Sequence, residues 1–274
     1  MLVTGATDGL GRAVAERLAA EGATVLLHGR DGVKLSSAAH EIRAATGNDR
    51  TRTYLADFAS LAAIRALANE VEADNHRLHV LVNNAGVGSG KPAGTSRQES
   101  EDGLELRFAV NYLAGFVLTL RLLPLLRRSA PARVVNVASA GQYPIDFGDV
   151  MLEKSYEGSR AYRQSKLAQI MFGFSLAERL AADEITVNSL HPATFMPTKI
   201  VLEQHGHSVD SLDEGVEATL RLVLSADLDG VTGKYFDRQA ESSADQQAYD
   251  ADARRRLWDL SVGLTGEAGE AIER

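Results

Sequence analysis

Apolar residues along the chain fall into short unbroken runs, separated by longer stretches with a three- to four-residue apolar repeat. Val80-Leu81-Val82 and Val134-Val135 are continuous apolar runs, the pattern of strands covered on both faces. With Met1–Thr4, Thr24–His28, Thr51–Leu55, Val80–Asn83, Arg133–Val137, Thr186–His191 and Lys234–Phe236, the pattern predicts seven strands. Leu10–Ala20, Lys34–Ala45, Leu61–Glu72, Leu104–Arg127, Ser159–Ala181 and Leu212–Leu224 lie between them with helical spacing. Regular β-α alternation predicts an α/β fold, a doubly wound parallel sheet of about seven strands with helices on both faces and right-handed crossovers. Two stretches break the rhythm, 142–158 and 192–210, and long loops in a compact α/β fold are usually functional. Residues from about 245 to 265 read as a surface helix carrying Trp258. Only three residues precede Thr4, fewer than the usual 5–6 of a strand, so the first strand is expected to be cut short.

Composition narrows the classes. The 274 residues are 45 % hydrophobic and 24 % charged, as in ordinary globular proteins, enough for a large core in a single domain spanning 1–274. Cysteine is absent, which excludes disulfides, thiolate catalysis and thiolate-ligated metals. A net charge of −8 argues against nucleic-acid partners. The apolar stretch Phe116–Leu126 is interrupted by Arg121 and reads as a buried helix, so no membrane span is expected. No basic leader follows Met1, and a cytoplasmic setting is expected.

The first strand runs into Thr4-Gly5-Ala6-Thr7-Asp8-Gly9-Leu10-Gly11, with a helix directly behind. Gly5 permits the tight turn, Gly9 lets backbone approach a pyrophosphate, and Gly11 lets the helix pack close to the strand. The helix N-terminus adds N–H groups and a positive dipole end. This is the pattern of a Rossmann dinucleotide fold. At the end of the second strand an NAD site would carry an acid for the ribose 2′-hydroxyl. The sequence there is Leu27-His28-Gly29-Arg30-Asp31, with glycine in the acid's place and an arginine able to fork onto a 2′-phosphate. NADP(H) is therefore expected over NAD; the alternative is a solvated Arg30 paired with Asp31.

Taken together, the motifs resemble the short-chain dehydrogenase/reductase family. The resemblance rests on Thr4-Gly5-x-x-x-Gly9-x-Gly11, Asp57 in Ala56-Asp57-Phe58, Asn83-Asn84-Ala85-Gly86 after strand four, Asn111 in Val110-Asn111-Tyr112, Ser139 ending strand five, and Tyr162-x-x-x-Lys166. It extends to about Phe236. The segment Ile145-Asp146-Phe147 to Tyr162 is similar to the retinol-dehydrogenase and protochlorophyllide-reductase group. The resemblance implies catalytic roles for Asn111, Ser139, Tyr162 and Lys166. It implies a cofactor site formed by Gly5, Thr7, Asp8, Gly9, Leu10, Gly11, Arg30, Asp57, Phe58, Asn84, Ala85, Gly86, Tyr162, Lys166, Pro192, Thr194 and Phe195. In this pattern Lys166 also holds the ribose hydroxyls, Ser139 orients the substrate oxygen, and Asn111 anchors a water leading from Lys166 to solvent. The sequence departs at Pro192-Ala193, where the family carries Pro-Gly, and Thr198 reads as displaced by one residue.

The implied chemistry is hydride exchange with an alcohol or carbonyl, coupled to a proton. A free tyrosine has a pKa near 10, and Lys166, one turn on, is expected to lower it. Tyr143 and Tyr156 are candidate substrate contacts. Phe195, Met196, Pro197, Ile200, Val201 and Leu202 make the second loop apolar, which suits a lipophilic substrate. His205 and His207 are too few for a metal site, His191 reads as structural, and Arg254-Arg255-Arg256 as a solvated helix face. Ser165 and Tyr112 have no assigned role. Leu104–Arg127 and Ser159–Ala181 are apolar on more than one face, so pairing with symmetry mates into a homodimer or homotetramer is expected. Two other readings keep the fold: a catalytically silent NADP(H)-sensing regulator, which would not need Ser139, Tyr162 and Lys166 together, and a nucleotide-sugar epimerase or dehydratase, which would need a larger C-terminal part.

Overall fold

A computed structural model describes residues 1–90, 96–181, 183–198, 201–202 and 206–267. The strands are β1 (Leu2–Val3), β2 (Val25–Gly29), β3 (Thr51–Leu55), β4 (Val80–Asn83), β5 (Ala132–Val137), β6 (Ile185–His191), β7 (Lys234–Asp237) and β8 (Ala240–Ser242). They form one sheet in the order β3-β2-β1-β4-β5-β6-β7-β8. The first seven pair in parallel; β8 turns back antiparallel on β7. That edge strand is the one strand the hydrophobic pattern missed, because its three residues are all exposed and carry no apolar signal.

The strands alternate strictly. Leu2, Leu26, Leu81, Val134 and Val187 enter one core, and Val3, Val25, Leu27, Val82 and Val135 the other. Helices α1 (Gly9–Ala20), α2 (Gly32–Thr46) and α6 (Leu212–Leu224) cover the second core with Val14, Leu18, Ile42 and Val216. Helices α3 (Leu61–Asp74), α4 (Ala114–Arg127) and α5 (Gly158–Arg179) cover the first. Asp8, Asp31 and Ser211 cap α1, α2 and α6, satisfying N–H groups that a helix start would otherwise leave unpaired.

Two expectations are corrected. The helix predicted from Leu104 begins at Phe108, with a π-helical turn over Phe108–Leu113 running into α4. The residues before it are held instead by an antiparallel bridge between Glu99 and Glu105. The C-terminal helix α7 (Ala251–Thr265) is not a surface appendage. Trp258 packs on Phe116 and Phe172, with ring centroids 5.3 and 6.0 Å away, beneath the Arg179 guanidinium at 4.0 Å. The Tyr112 hydroxyl meets Ser261 Oγ at 2.6 Å, and Glu267 pairs with Arg65 and Arg121. Part of the apolar surface of α4 and α5, at Phe116 and Phe172, is thus covered by this chain's own helix. Phe108–Arg127, the one helix among the described residues long and apolar enough to cross a membrane, is mostly buried in this core.

Candidate active site

The sheet order reverses between β1 and β4, and the site lies beyond the carboxyl ends of these strands, at the switch point. The glycine turn leaves β1 with Gly5 at φ 66° and Gly9 at φ 53°, a left-handed conformation that other residues adopt at a cost. A Cβ on Gly11 would clash with Asn84 Nδ2 and the Gly5 carbonyl, so helix and strand are in contact there. Thr4 Oγ1 accepts from the N–H groups of Asn84 (2.9 Å) and Ala85 (3.0 Å). Asn84 Nδ2 donates to the Thr4 carbonyl at 2.8 Å. The first two strand ends of the site are therefore bolted together by Thr4 and Asn84. Asn83, the motif's first asparagine, faces the interior and donates to Asn136 Oδ1 and Thr119 Oγ1, both at 3.0 Å.

One residue of the cradle carried no signal beyond being polar in a buried strand. His28 Nδ1 accepts from Gly5 N at 3.2 Å, and His28 Nε2 donates to the Ala56 carbonyl at 3.1 Å. Gly5 N can only donate, which assigns the neutral Nε2–H tautomer. Burial pushes its pKa down to about 4. His28 thus ties the glycine turn to the end of β3 and stacks on Phe58 at 4.2 Å. Phe58 is buried in the core beside His28. Asp57 is exposed beside it and turns its carboxylate onto Ala59 N at 2.9 Å.

At the end of β2 the carboxylate of Asp31 accepts from Val33 N and Lys34 N, so it caps α2 instead of pairing with Arg30. A side chain at Gly29 would run into Thr7, so an acid does not fit there in this arrangement. Arg30 is exposed at the rim. Asp8 turns its own carboxylate onto Gly9 N at 2.7 Å. Leu10 is buried below the turn. The left-handed glycines, the α1 N-terminus and the crowding at Gly11 and Gly29 fit a dinucleotide phosphate group approaching backbone N–H groups.

The residues that the motif pattern marks as candidates for catalysis come from β5 and α5. Ser139 follows β5, and its Oγ accepts from Gly141 N at 3.0 Å. Its carbonyl is held by Tyr235 Oη (3.2 Å) and Gln142 Nε2 (3.1 Å). Tyr162 and Lys166 lie one turn apart on α5, with Lys166 Nζ 5.9 Å from the Tyr162 ring centroid. Lys166 Nζ donates to the Val137 carbonyl at 2.8 Å and to Gln169 Oε1 at 3.3 Å. Burial lowers its pKa to about 8. Burial also raises the Tyr162 pKa, and the hydrogen bond from Ser139 offsets part of that. The expected lowering by Lys166 is corrected: its ammonium is turned onto backbone and Gln169, so Ser139 is the group that favours the phenolate.

The π-helical turn places Asn111. Its Oδ1 accepts from Val87 N at 2.7 Å, and its Nδ2 donates to the Val87 carbonyl (3.1 Å) and Ser165 Oγ (2.9 Å). Ser165 passes the bond on to the Tyr162 carbonyl at 2.7 Å. Ser165 and Gln169 are thus site residues that the sequence reading did not assign. A helix census at i+3 of Tyr162 and of Lys166 would have found them. Gly86 leaves a cleft there: a Cβ would lie 3.1 Å from Asn111 Oδ1 and 3.7 Å from Lys166 Nζ. Ala85 is half-buried at the same turn.

The loop after β6 folds back over the cradle. Thr194 N donates to Asp210 Oδ2 at 2.6 Å; Arg238 bridges Asp210 and Thr194 Oγ1; His191 Nε2 meets Thr194 Oγ1 at 3.1 Å. Phe195, at φ 45°, stands half exposed above this neck, while Pro192 and Ala193 lie in its floor. Thr198 reaches the glycine turn: its Cγ2 lies 3.1 Å from where a Cβ on Gly9 would fall. Its displacement in sequence does not take it away from the cradle. Ile200 and His205 lie outside the described residues, and His207 packs its ring on Phe195. Tyr156 is not at the substrate opening. Its hydroxyl bonds to the fully buried Arg107 and donates to Glu105 Oε1 at 3.1 Å. Tyr143 is 40 % exposed, under the guanidinium groups of Arg160 and Arg163.

A doubly wound sheet with a glycine cradle at its switch point and a serine, tyrosine and lysine gathered beside it defines a dehydrogenase class. The chain belongs to the short chain dehydrogenase family, whose model matches residues 1–206. It is 36 % identical to retinol dehydrogenase 13 of Mus musculus, over 98 % of this chain and 84 % of that protein. Among solved structures it is similar to a protein of Mycobacterium Paratuberculosis (27 % identity, TM-score 0.76, 97 % and 92 % of the two chains covered). It also resembles a short chain dehydrogenase of Shigella flexneri complexed with NADP (27 %, TM-score 0.70, 87 % and 95 % covered).

Proposed function

We propose that this enzyme is an NADP(H)-dependent oxidoreductase that interconverts a carbonyl compound and its alcohol, with Tyr162 as general acid and base. The observation that carries the reading is the grouping of Tyr162 with the Ser139 hydroxyl that hydrogen-bonds it and the Lys166 ammonium 5.9 Å from its ring, with Asn111 and Ser165 bracing Tyr162's own helix. The nicotinamide, when bound, supplies or accepts the hydride. The chain's residues handle the oxygen and its proton. Ser139 Oγ and Tyr162 Oη point a pair of hydroxyls at one substrate oxygen; in the reductive direction Tyr162 gives its proton to the forming alkoxide. Lys166, its ammonium held by the Val137 carbonyl and Gln169, is the residue assigned to the cofactor's ribose hydroxyls. Asn111 keeps Val87 and Ser165 in place and so fixes the cleft between β4 and α5. Arg30 is the residue assigned to the 2′-phosphate, since Gly29 leaves no room for a competing acid.

The complete retention of the serine, tyrosine and lysine favours turnover over a silent sensor. The half-buried, apolar loop around Phe195, Met196 and Leu202 favours a lipophilic body for the substrate. The test is Tyr162→Phe assayed by NADPH absorbance against a panel of aldehydes and ketones. Turnover is expected to fall by at least about a hundredfold while NADPH affinity stays within a few-fold. A variant keeping more than about a tenth of the rate overturns the assignment.

A further inference from the structure

Arg160 and Arg163 lie one turn apart on α5, on either side of Tyr162, and both guanidinium groups converge on the ring of Tyr143, at 5.4 and 5.7 Å. Like charges three apart on a helix repel one another, and a single ring is a modest recompense for two cations. The compensation by carboxylates is thin. Among the described residues the one carboxylate that Arg160 meets is Asp146, at 3.4 Å, and its buried Nε has no hydrogen-bond partner there. Among the described residues Arg163 meets neither a carboxylate nor a carbonyl oxygen, unlike most arginines of this chain, which end on one or the other. The two cations also stand next to the reacting groups. The point where a Cβ on Gly141 would fall is 3.4 Å from Ser139 Oγ and 3.6 Å from Arg163 Cγ, so the stem of Arg163 and the serine flank the same glycine. In a chain of net charge −8 this is a locally positive opening.

We propose that Arg160 and Arg163, held apart by Tyr143, form an anion-binding rim of the active site, and that the carbonyl substrate carries a carboxylate on the side facing this rim. A planar carboxylate suits forked guanidinium donors and would relieve the repulsion between the two cations. The apolar loop on the far side of the cradle takes the hydrocarbon part, so the substrate is an amphiphilic oxo-acid. This deepens the reductase reading and rests on it for the reaction, though not for the binding.

The test uses the protein saturated with NADP. Calorimetric binding of benzoate and of benzamide is compared in the wild type, Arg163→Gln and Arg163→Glu, alongside kcat/KM for 4-carboxybenzaldehyde and benzaldehyde with NADPH. Benzoate is expected to bind at least about tenfold more tightly than benzamide in the wild type. That advantage should shrink in Arg163→Gln, vanish in Arg163→Glu and weaken with added salt. The preference for the carboxylated aldehyde should fall in parallel. Equal binding of the two ligands, or a preference that Arg163→Glu leaves intact, overturns the rim. Reduction of both aldehydes at similar rates without benzoate binding overturns the rim and leaves the reductase standing. Benzoate binding abolished by Arg163→Glu supports the rim whether or not the aldehydes are turned over, and absence of turnover across the whole panel of aldehydes and ketones removes the reductase reading.

Discussion

His28 couples the cofactor cradle to pH. The neutral ring bridges Gly5 N and the Ala56 carbonyl, and burial holds its pKa at about 4 against an ordinary 6.5. A histidine whose folded pKa is depressed binds its proton more readily when unfolded, so stability rises with pH between the two values. The contribution is fully present above pH 6.5 and is lost as pH falls toward 4. At about 1.4 kcal/mol per pH unit, the loss is about 2 kcal/mol at pH 5 and about 3 kcal/mol at pH 4. His28→Gln replaces the ring by an amide that does not titrate. At pH 7 the variant should be less stable by about 1–3 kcal/mol, from one bridge lost and a buried partner left unpaired. At pH 4 this penalty should shrink to nothing or reverse. Urea denaturation of both proteins from pH 4 to 8, read by circular dichroism, measures the difference. Comparing wild type with variant subtracts the carboxylates, which titrate in the same range in both. A stability difference that stays constant over this range would refute the neutral-bridge assignment. Because Gly5 N is one end of the bridge, NADPH affinity of the wild type should fall with stability below pH 5.

Arg30→Asp should invert cofactor preference: the wild type is expected to favour NADPH over NADH by at least about tenfold in kcat/KM, and a wild type that prefers NADH would remove Arg30 from the phosphate site. Gly11→Ala puts a methyl against Asn84 Nδ2 and the Gly5 carbonyl, so NADPH affinity by fluorescence titration should drop by more than about tenfold, roughly the loss of one charge-assisted contact; an unchanged affinity and melting temperature would show that the turn can open. Trp258→Ala should cost about 3–5 kcal/mol in chemical denaturation, because it empties the contact between α7 and the Phe116–Phe172 pair, whereas a loss below about 0.5 kcal/mol would return α7 to the role of a surface helix.

The sequence alone determined the architecture and the family. Strand and helix positions followed from apolar runs and periodicities, and these are local properties: a strand buried on both faces must be apolar throughout, and α1 must begin where glycines end a strand. Thr4, Asn84, Asn111, Ser139, Tyr162 and Lys166 were legible because their residue types recur at fixed places along such a chain. The tertiary structure decided which polar groups meet across large separations. His28 joins Gly5 and Ala56, Ser165 joins Asn111 to the tyrosine's helix, and Gln169 takes one bond of Lys166, none of which leaves a mark in a hydrophobic pattern. It also decided the direction of the Tyr162 shift, since burial and the orientation of an ammonium group depend on what surrounds them rather than on a spacing of four. The packing of Trp258 on Phe116 and Phe172 was likewise out of reach: an apolar face read from sequence must be buried, but the sequence pattern does not say which distant segment meets it.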